Sequence, residues 1–212
     1  NNFTKLSELL DYLNMSSENR DLFLDKHPFV LNLPQRLAAK IQKNDPSDPI
    51  LKQFLPTKHE LITTGVEDPC EDQRFQKTTN LLQKYTSRSL IITTSACAMH
   101  CRYCFRKNYP YQASDFHEEL NLIKEDQNCQ EVLLSGGDPL SLSDEKLFNL
   151  LENLDAIPHL KRIRFHTRFP IGIPERIHEG FIKKLASISK QIIFVLHVNH
   201  ASELDQEIYD SM

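Results

Sequence analysis

The sequence predicts an α/β protein: a parallel sheet built from four β/α units, preceded by an N-terminal helical region. Two observations predict it. Four short β-rich runs recur from residue 90 onward, at Leu90–Thr94, Glu131–Ser135, Arg162–Thr167 and Gln191–His197. Helical patterns separate them, and alternating strands and helices of these lengths make βαβ units. In such sheets, sites form where strands end and loops begin, and the chain's polar and cysteine groups fall at those strand ends.

The elements follow in order. Phe3, Leu6, Leu10 and Leu13 recur at helical spacing. Pro34 suits the first turn of a helix carrying Leu37 and Ile41. Asn44-Asp45-Pro46-Ser47-Asp48-Pro49 is a breaker cluster, after which Pro49 can open another short helix. Residues 56–88 are mixed and polar and give no assignment. Between the four strands, Phe116, Leu120 and Ile123 fit one helix. Leu147, Leu150, Leu151 and Leu154 fit a second, with Ser141 and Asp144 as its capping pair. Ile177, Phe181, Leu185 and Ile188 fit a third, and a fourth begins near Ala201. The division expected is a helical region over 1–83 and the β/α region over 84–212. Four units cannot close a barrel, so the sheet is either open or part of a longer one.

Composition bounds the function. At 212 residues, and roughly 150 per domain, the chain makes one large domain or two small ones. Forty per cent hydrophobic and 25% charged residues exclude general disorder. The net charge of −4 shows no basic excess for nucleic acid. No apolar run approaches the about 18 residues of a membrane span. The start, Asn1-Asn2-Phe3-Thr4-Lys5, has neither an initiator Met nor an export-signal layout. Five cysteines, three of them between 97 and 104, do not form a secreted disulfide framework. A cytoplasmic location is expected.

Cys97-Ala-Met-His-Cys101-Arg-Tyr-Cys104 has the spacing C-x3-C-x2-C, directly after the first strand. Three thiolates on one loop can hold three corners of an iron–sulfur cube and leave one iron open to a small molecule. Two other readings stay open on spacing alone. One is a structural zinc site with His100 as a fourth ligand; the other is three uncoupled thiols. Cys70 and Cys129 read as ordinary small hydrophobes. With only five glycines in the chain, Gly136-Gly137 after the second strand stands out. Glycine lets backbone come close to a ligand.

The cysteine spacing after a first strand resembles the signature of radical S-adenosylmethionine enzymes, and Ser135-Gly136-Gly137-Asp138-Pro139 resembles their glycine-rich motif. Longer stretches resemble lysine 2,3-aminomutases: Cys101–Tyr111, Leu134–Leu140, Ile157–Arg164 and His197–His200. The stretch from Phe29 through Asn44–Leu51 resembles the branch that makes β-lysine for elongation factor P. The resemblance implies a partial radical-SAM barrel, four β/α units of six. It implies a 4Fe–4S cluster, S-adenosylmethionine and pyridoxal phosphate. It implies conversion of L-α-lysine to (R)-β-lysine through a 5′-deoxyadenosyl radical and a pyridoxal imine. Elongation factor P and its ligase would be downstream partners. A catabolic lysine 2,3-aminomutase and an inactive remnant are the other readings.

Residue by residue, the resemblance makes Cys97, Cys101 and Cys104 cluster ligands and Arg106 the ligand of the substrate carboxylate. Ser135, Gly136, Gly137 and Asp138 face S-adenosylmethionine, although Asp138 also suits a turn cap. Asn199 and His200 meet the same cofactor, with His200 preferred to His197. Lys84 and Arg88 meet the pyridoxal phosphate, Lys84 standing where the family has an arginine. His166 and Arg168 end the third strand beside the cavity. Tyr103 and Phe105 pack around the cluster. The family's pyridoxal-anchoring lysine and its late substrate carboxylates have no counterpart here. The expectation is therefore an incomplete barrel that binds cluster and S-adenosylmethionine but does not complete amino migration. An open barrel wall would expose a strand edge, so self-association is also expected.

Overall fold

The computed structural model describes residues 1–24, 30–61 and 65–211; Phe29 lies outside the described residues. The N-terminal part holds β1 (Asn2–Phe3), α1 (Leu6–Tyr12), α2 (Ser17–Arg20), β2 (Leu33–Pro34) and α3 (Gln35–Ala39). Short 3-10 turns follow at Leu51–Gln53, Lys58–Leu61 and Asp72–Phe75. Next come β3 (Gln76–Thr78), β4 (Leu81–Tyr85), β5 (Arg88–Thr94), α4 (His117–Glu125), β6 (Glu131–Gly136) and α5 (Asp144–Asp155). The chain continues with β7 (Arg162–Thr167), α6 (Phe169–Gly172), α7 (Glu179–Leu185), β8 (Gln191–Leu196) and α8 (Gln206–Ser211).

One six-stranded sheet runs in the order β3-β4-β5-β6-β7-β8. The pairings from β5 to β8 are parallel, as the βαβ pattern predicts. No closed barrel forms among the described residues. The sheet also extends back through two antiparallel pairings, β3 with β4 and β4 with β5. These strands lie in the segment that gave no assignment, and the boundary expected at 83/84 falls inside β4. Adjacent Leu81 and Leu82 are both buried while Lys84 and Tyr85 are exposed, so β4 has no period-two pattern to read.

The parallel strands alternate faces. Ile91, Val132, Leu134, Ile163 and Phe165 point outward and form one core with Ile123 of α4, Leu147 and Leu151 of α5 and Phe181 of α7. Arg88, Leu90, Glu131, Leu133, Arg164 and His166 have the opposite parity and line the other face. A second core joins Leu9, Leu37, Leu51 and Leu55 of the N-terminal part to Met99, Ile171 and Ile208. The N-terminal part is thus packed beneath the loop that carries the cysteines.

Three boundaries differ from expectation. The cap of α5 is Ser143, whose hydroxyl accepts from the Lys146 amide at 3.4 Å. Ser141 instead lies in a 3-10 turn, Pro139–Ser141, with its hydroxyl buried and unpartnered. The element expected near Ala201 divides into a 3-10 turn at Ala201–Glu203 and α8. Phe3 belongs to β1 rather than to the first helix, and the N-terminal part is therefore not wholly helical.

Leu151 is fully buried in the sheet–helix core. Leu151→Ala is expected to lower stability by roughly 2–5 kcal/mol in urea unfolding. Tyr209→Ala, on the exposed face of α8, is expected to change it by less than about 0.5 kcal/mol.

Candidate active site

A cavity of about 640 Å³ opens at the carboxyl ends of β5 to β8. Cys97, Cys101 and Cys104 all line it, together with Arg106, Ser135 to Asp138, His166 to Arg168 and His197. The sheet therefore gathers residues that lie up to 100 positions apart in sequence at one end of four strands.

The cysteine loop is clamped from the N-terminal side. The Asn32 amide donates to the carbonyls of Cys97 and Ala98, both at 3.3 Å, and the Asn2 amide donates to Ala98 at 2.8 Å. The His100 amide donates to the Asn32 carbonyl at 2.9 Å, and its Nδ1 stands 2.8 Å from the Val30 carbonyl. His100 is thus part of this clamp. The Arg102 amide donates to the Gln53 carbonyl at 2.8 Å.

The glycine pair fixes the loop from the sheet side. The Gly137 amide donates to Thr94 O at 2.6 Å, and the Asp138 amide to Ala96 O at 2.8 Å. Gly136 has φ +122°, a conformation that side chains disfavour. A Cβ on Gly137 would lie 2.2 Å from Ala96 O. The glycines thus allow β6 to end directly against the start of the cysteine loop. Asp138 is a brace, as its alternative reading foresaw. Its carboxylate accepts from Thr167 Oγ1 at 2.7 and 2.9 Å, from the Arg168 amide at 2.8 Å and from the Leu140 amide at 3.1 Å. Burial pushes this carboxyl up, and the hydrogen bonds from Arg168 and Thr167 oppose that.

Arg106 is buried. Its Nε donates to Asp72 Oδ2 at 2.8 Å and its Nη1 to Ser135 Oγ at 3.2 Å. Arg168 is more deeply engaged. Its Nη1 donates to Cys101 Sγ at 2.8 Å and to the Tyr103 hydroxyl at 2.9 Å. Its Nη2 donates to Gln53 Oε1 at 2.5 Å and to Glu203 Oε2 at 2.9 Å. Burial pushes Glu203 up, but the hydrogen bond from Gln53 and the charge of Arg168 outweigh it and hold the carboxyl below its usual range. Tyr103 does more than shield: its hydroxyl also receives the Asn199 amide, and its ring meets His197 edge-on at 5.7 Å.

Other expected site residues sit elsewhere. His200 is exposed and outside the cavity lining; its Nδ1 accepts from the Ser202 amide at 3.2 Å, capping the 3-10 turn. His197 takes the lining position instead, with its pKa lowered by burial and then by Arg168. Asn199 is held by Gln53 Oε1 at 2.9 Å. Lys84 is exposed, 4.8 Å over the Phe75 ring. Arg88 lies outside the lining, on the same sheet face, pairing with Glu131 at 3.3 Å; Glu131 also takes Arg164 at 2.5 Å. Gln53 and Glu203 escaped sequence reasoning. Gln53 has no signal in its neighbourhood. Glu203 follows His200 at capping-box spacing, which was a usable signal.

Among the described residues, no three His, Cys, Asp or Glu side chains are gathered tightly enough to hold one metal ion. The three thiols nevertheless share one cavity, and after burial and the charge of Asp138, the charges of Cys104 and Cys101 also push the Cys97 thiol up. Soft donors around a space larger than one ion fit the corners of a cluster. A family model described as the radical SAM superfamily matches residues 91–208. The chain belongs to the radical SAM superfamily.

Membership implies a 4Fe–4S cluster and S-adenosylmethionine. Three relatives are each named L-lysine 2,3-aminomutase. That of Buchnera aphidicola is 39% identical over 98% of this chain and 64% of its own length. That of Escherichia coli is 38% identical over 99% of this chain and 64% of its own. That of Clostridium subterminale is 30% identical over 98% of this chain and 52% of its own. The chain thus spans about 64% of the length of the first two. No described helix is long and apolar enough to cross a membrane.

Burial pushes the Cys97 thiol up to about 12 and also raises Cys104. Alkylation needs the thiolate. In metal-free protein at pH 8, iodoacetamide is therefore expected to modify exposed Cys70 well before Cys97 and Cys104, as peptide mass mapping would read. Gly137→Ala is expected to dislodge the cysteine loop and to lower the iron retained after reconstitution several-fold.

Proposed function

We propose that this chain is the radical-generating part of an enzyme that converts L-lysine to (R)-β-lysine. The observation that carries the proposal is the convergence of three thiols and a glycine turn on one cavity at the carboxyl end of the sheet. The relatives named L-lysine 2,3-aminomutase support the substrate. When bound, the cluster, S-adenosylmethionine and pyridoxal phosphate supply the radical chemistry that moves an amino group from Cα to Cβ.

The chain's own residues do the rest. Cys97, Cys101 and Cys104 hold three corners of the cluster. Their thiols must lose protons on loading, which favours loading at higher pH. The backbone at Ser135, Gly136 and Gly137 comes close to the methionine part of S-adenosylmethionine, with Asp138 bracing the turn. His197, rather than His200, stands beside that cofactor, and Asn199 supports it. The Arg106 fork receives the lysine carboxylate, with Asp72 and Ser135 holding its plane. Arg88 serves the phosphate of pyridoxal phosphate from the sheet face that also carries Leu90 and His166; Lys84 assists from the solvent side.

We assign the product to elongation factor P modification, by way of its ligase. The resemblance of Asn44–Leu51 to that branch supports the assignment. A cytoplasmic location belongs to the same proposal.

The test is anaerobic reconstitution with iron and sulfide, followed by EPR of the reduced protein. A cluster signal that changes on adding S-adenosylmethionine, and that is absent in Cys104→Ala, is the expected result. No cluster, with zinc held tightly instead, would overturn the proposal. For the substrate, the full-length protein is expected to yield (R)-β-lysine from L-lysine in chiral product analysis; the S product would point to the catabolic branch.

A further inference from the structure

We infer that Arg168 is a positioning residue for the cluster: its guanidinium, aimed by Glu203, donates to the Cys101 sulfur and raises the cluster's reduction potential. The inference rests on the reading of Cys101 as a cluster ligand and adds a residue to it.

The geometry carries it. Arg168 directly follows β7 and is 5% exposed. Its two Nη atoms make four hydrogen bonds, and one of them reaches Cys101 Sγ at 2.8 Å. A thiolate bound to iron keeps lone pairs that accept such a bond. Hydrogen bonds to cluster sulfurs and nearby positive charge stabilise the reduced, more negative cluster.

A lone buried charge would be too costly to keep in place. Glu203, wholly buried, supplies the counter-charge at 2.9 Å. The carboxylate is itself fixed from several sides. Gln53 Nε2 donates to it at 2.8 Å, the Asn199 amide at 3.1 Å and the His200 amide at 2.9 Å. The guanidinium therefore has one orientation, with its Nη1 directed at the cysteine loop. Arginine suits this role because its planar fork serves several acceptors at once, which a lysine ammonium cannot do in the same geometry.

The two charges act on the cluster with opposite sign, and this makes the inference testable. Arg168→Gln removes the cation and the directed donor. Glu203→Gln leaves the cation without its counter-charge. Both variants and the wild type would be reconstituted anaerobically and titrated by EPR against solution potential. The expected result is a fall in midpoint potential for Arg168→Gln and a rise for Glu203→Gln. A tenfold change in the reduced-to-oxidised ratio corresponds to about 59 mV for one electron, and a shift of that order is expected for Arg168→Gln.

Unchanged potentials, or two shifts of the same sign, would overturn the inference, since a purely structural role moves stability but not potential in opposite directions. Where Arg168→Gln retains no cluster, Glu203→Gln and Arg168→Lys decide. A rise in the former with a smaller shift in the latter supports the inference, and no rise in the former overturns it. A wild-type cluster with unshifted variants overturns this inference alone. A wild type that forms no cluster overturns the underlying reading as well.

Discussion

The ion pair between Arg168 and Glu203 is the contact on which the site's geometry depends. Removing two charges from water costs several kcal/mol each unless both are fully paired and hydrogen-bonded. Here the bonds beyond the pair come from three separate places: Gln53 of the N-terminal part, Cys101 and Tyr103 of the cysteine loop, and the backbone after β8; among the described residues the buried Arg168 Nε alone of the guanidinium nitrogens has no partner. Moving the cysteine loop would strip two hydrogen bonds from Arg168, and moving Gln53 or the backbone after β8 would strip bonds from the Glu203 carboxylate. The pair therefore sets the distance between parts of the chain that share no strand pairing.

The rest of the structure follows from that constraint and from the two faces of the sheet. The outward face is apolar and packs on helices, so it sets where the strands end. At those ends, backbone must approach backbone closely enough for the cysteine loop to seat. Gly137 permits the approach, and the Asp138 carboxylate ties the turn after β6 to the end of β7. The second core then supports the loop from beneath through Met99. A pre-seated loop lets ligands converge without reorganisation when a cluster binds.

Much of this was legible in the sequence, and the reasons are specific. The four parallel strands were readable because β5, β6 and β8 are compact runs rich in β-branched and apolar residues and β7 alternates apolar with polar residues. The three cysteines were readable because thiols at C-x3-C-x2-C spacing have few structural uses. β3 and β4 were not readable because they are short, polar at one end and without alternation. Gln53 was hidden because its role depends on partners 115 and 150 residues away. The placing of His197 and His200 was hidden for a related reason: sequence gives their order after β8 but not which way the chain turns there. The ring caps a 3-10 turn, and His197 faces the cavity.

The central claim is that one buried network joins the N-terminal part, the cysteine loop and the segment after β8. Native-state hydrogen exchange of Gln53→Ala tests it most directly, because Gln53 lies far in sequence from the other two segments. The network predicts faster exchange at 97–104 and 199–204 together, with α5 unchanged as an internal reference. Faster exchange confined to residues near 53, with the cysteine loop and the segment after β8 as protected as in wild type, would contradict it.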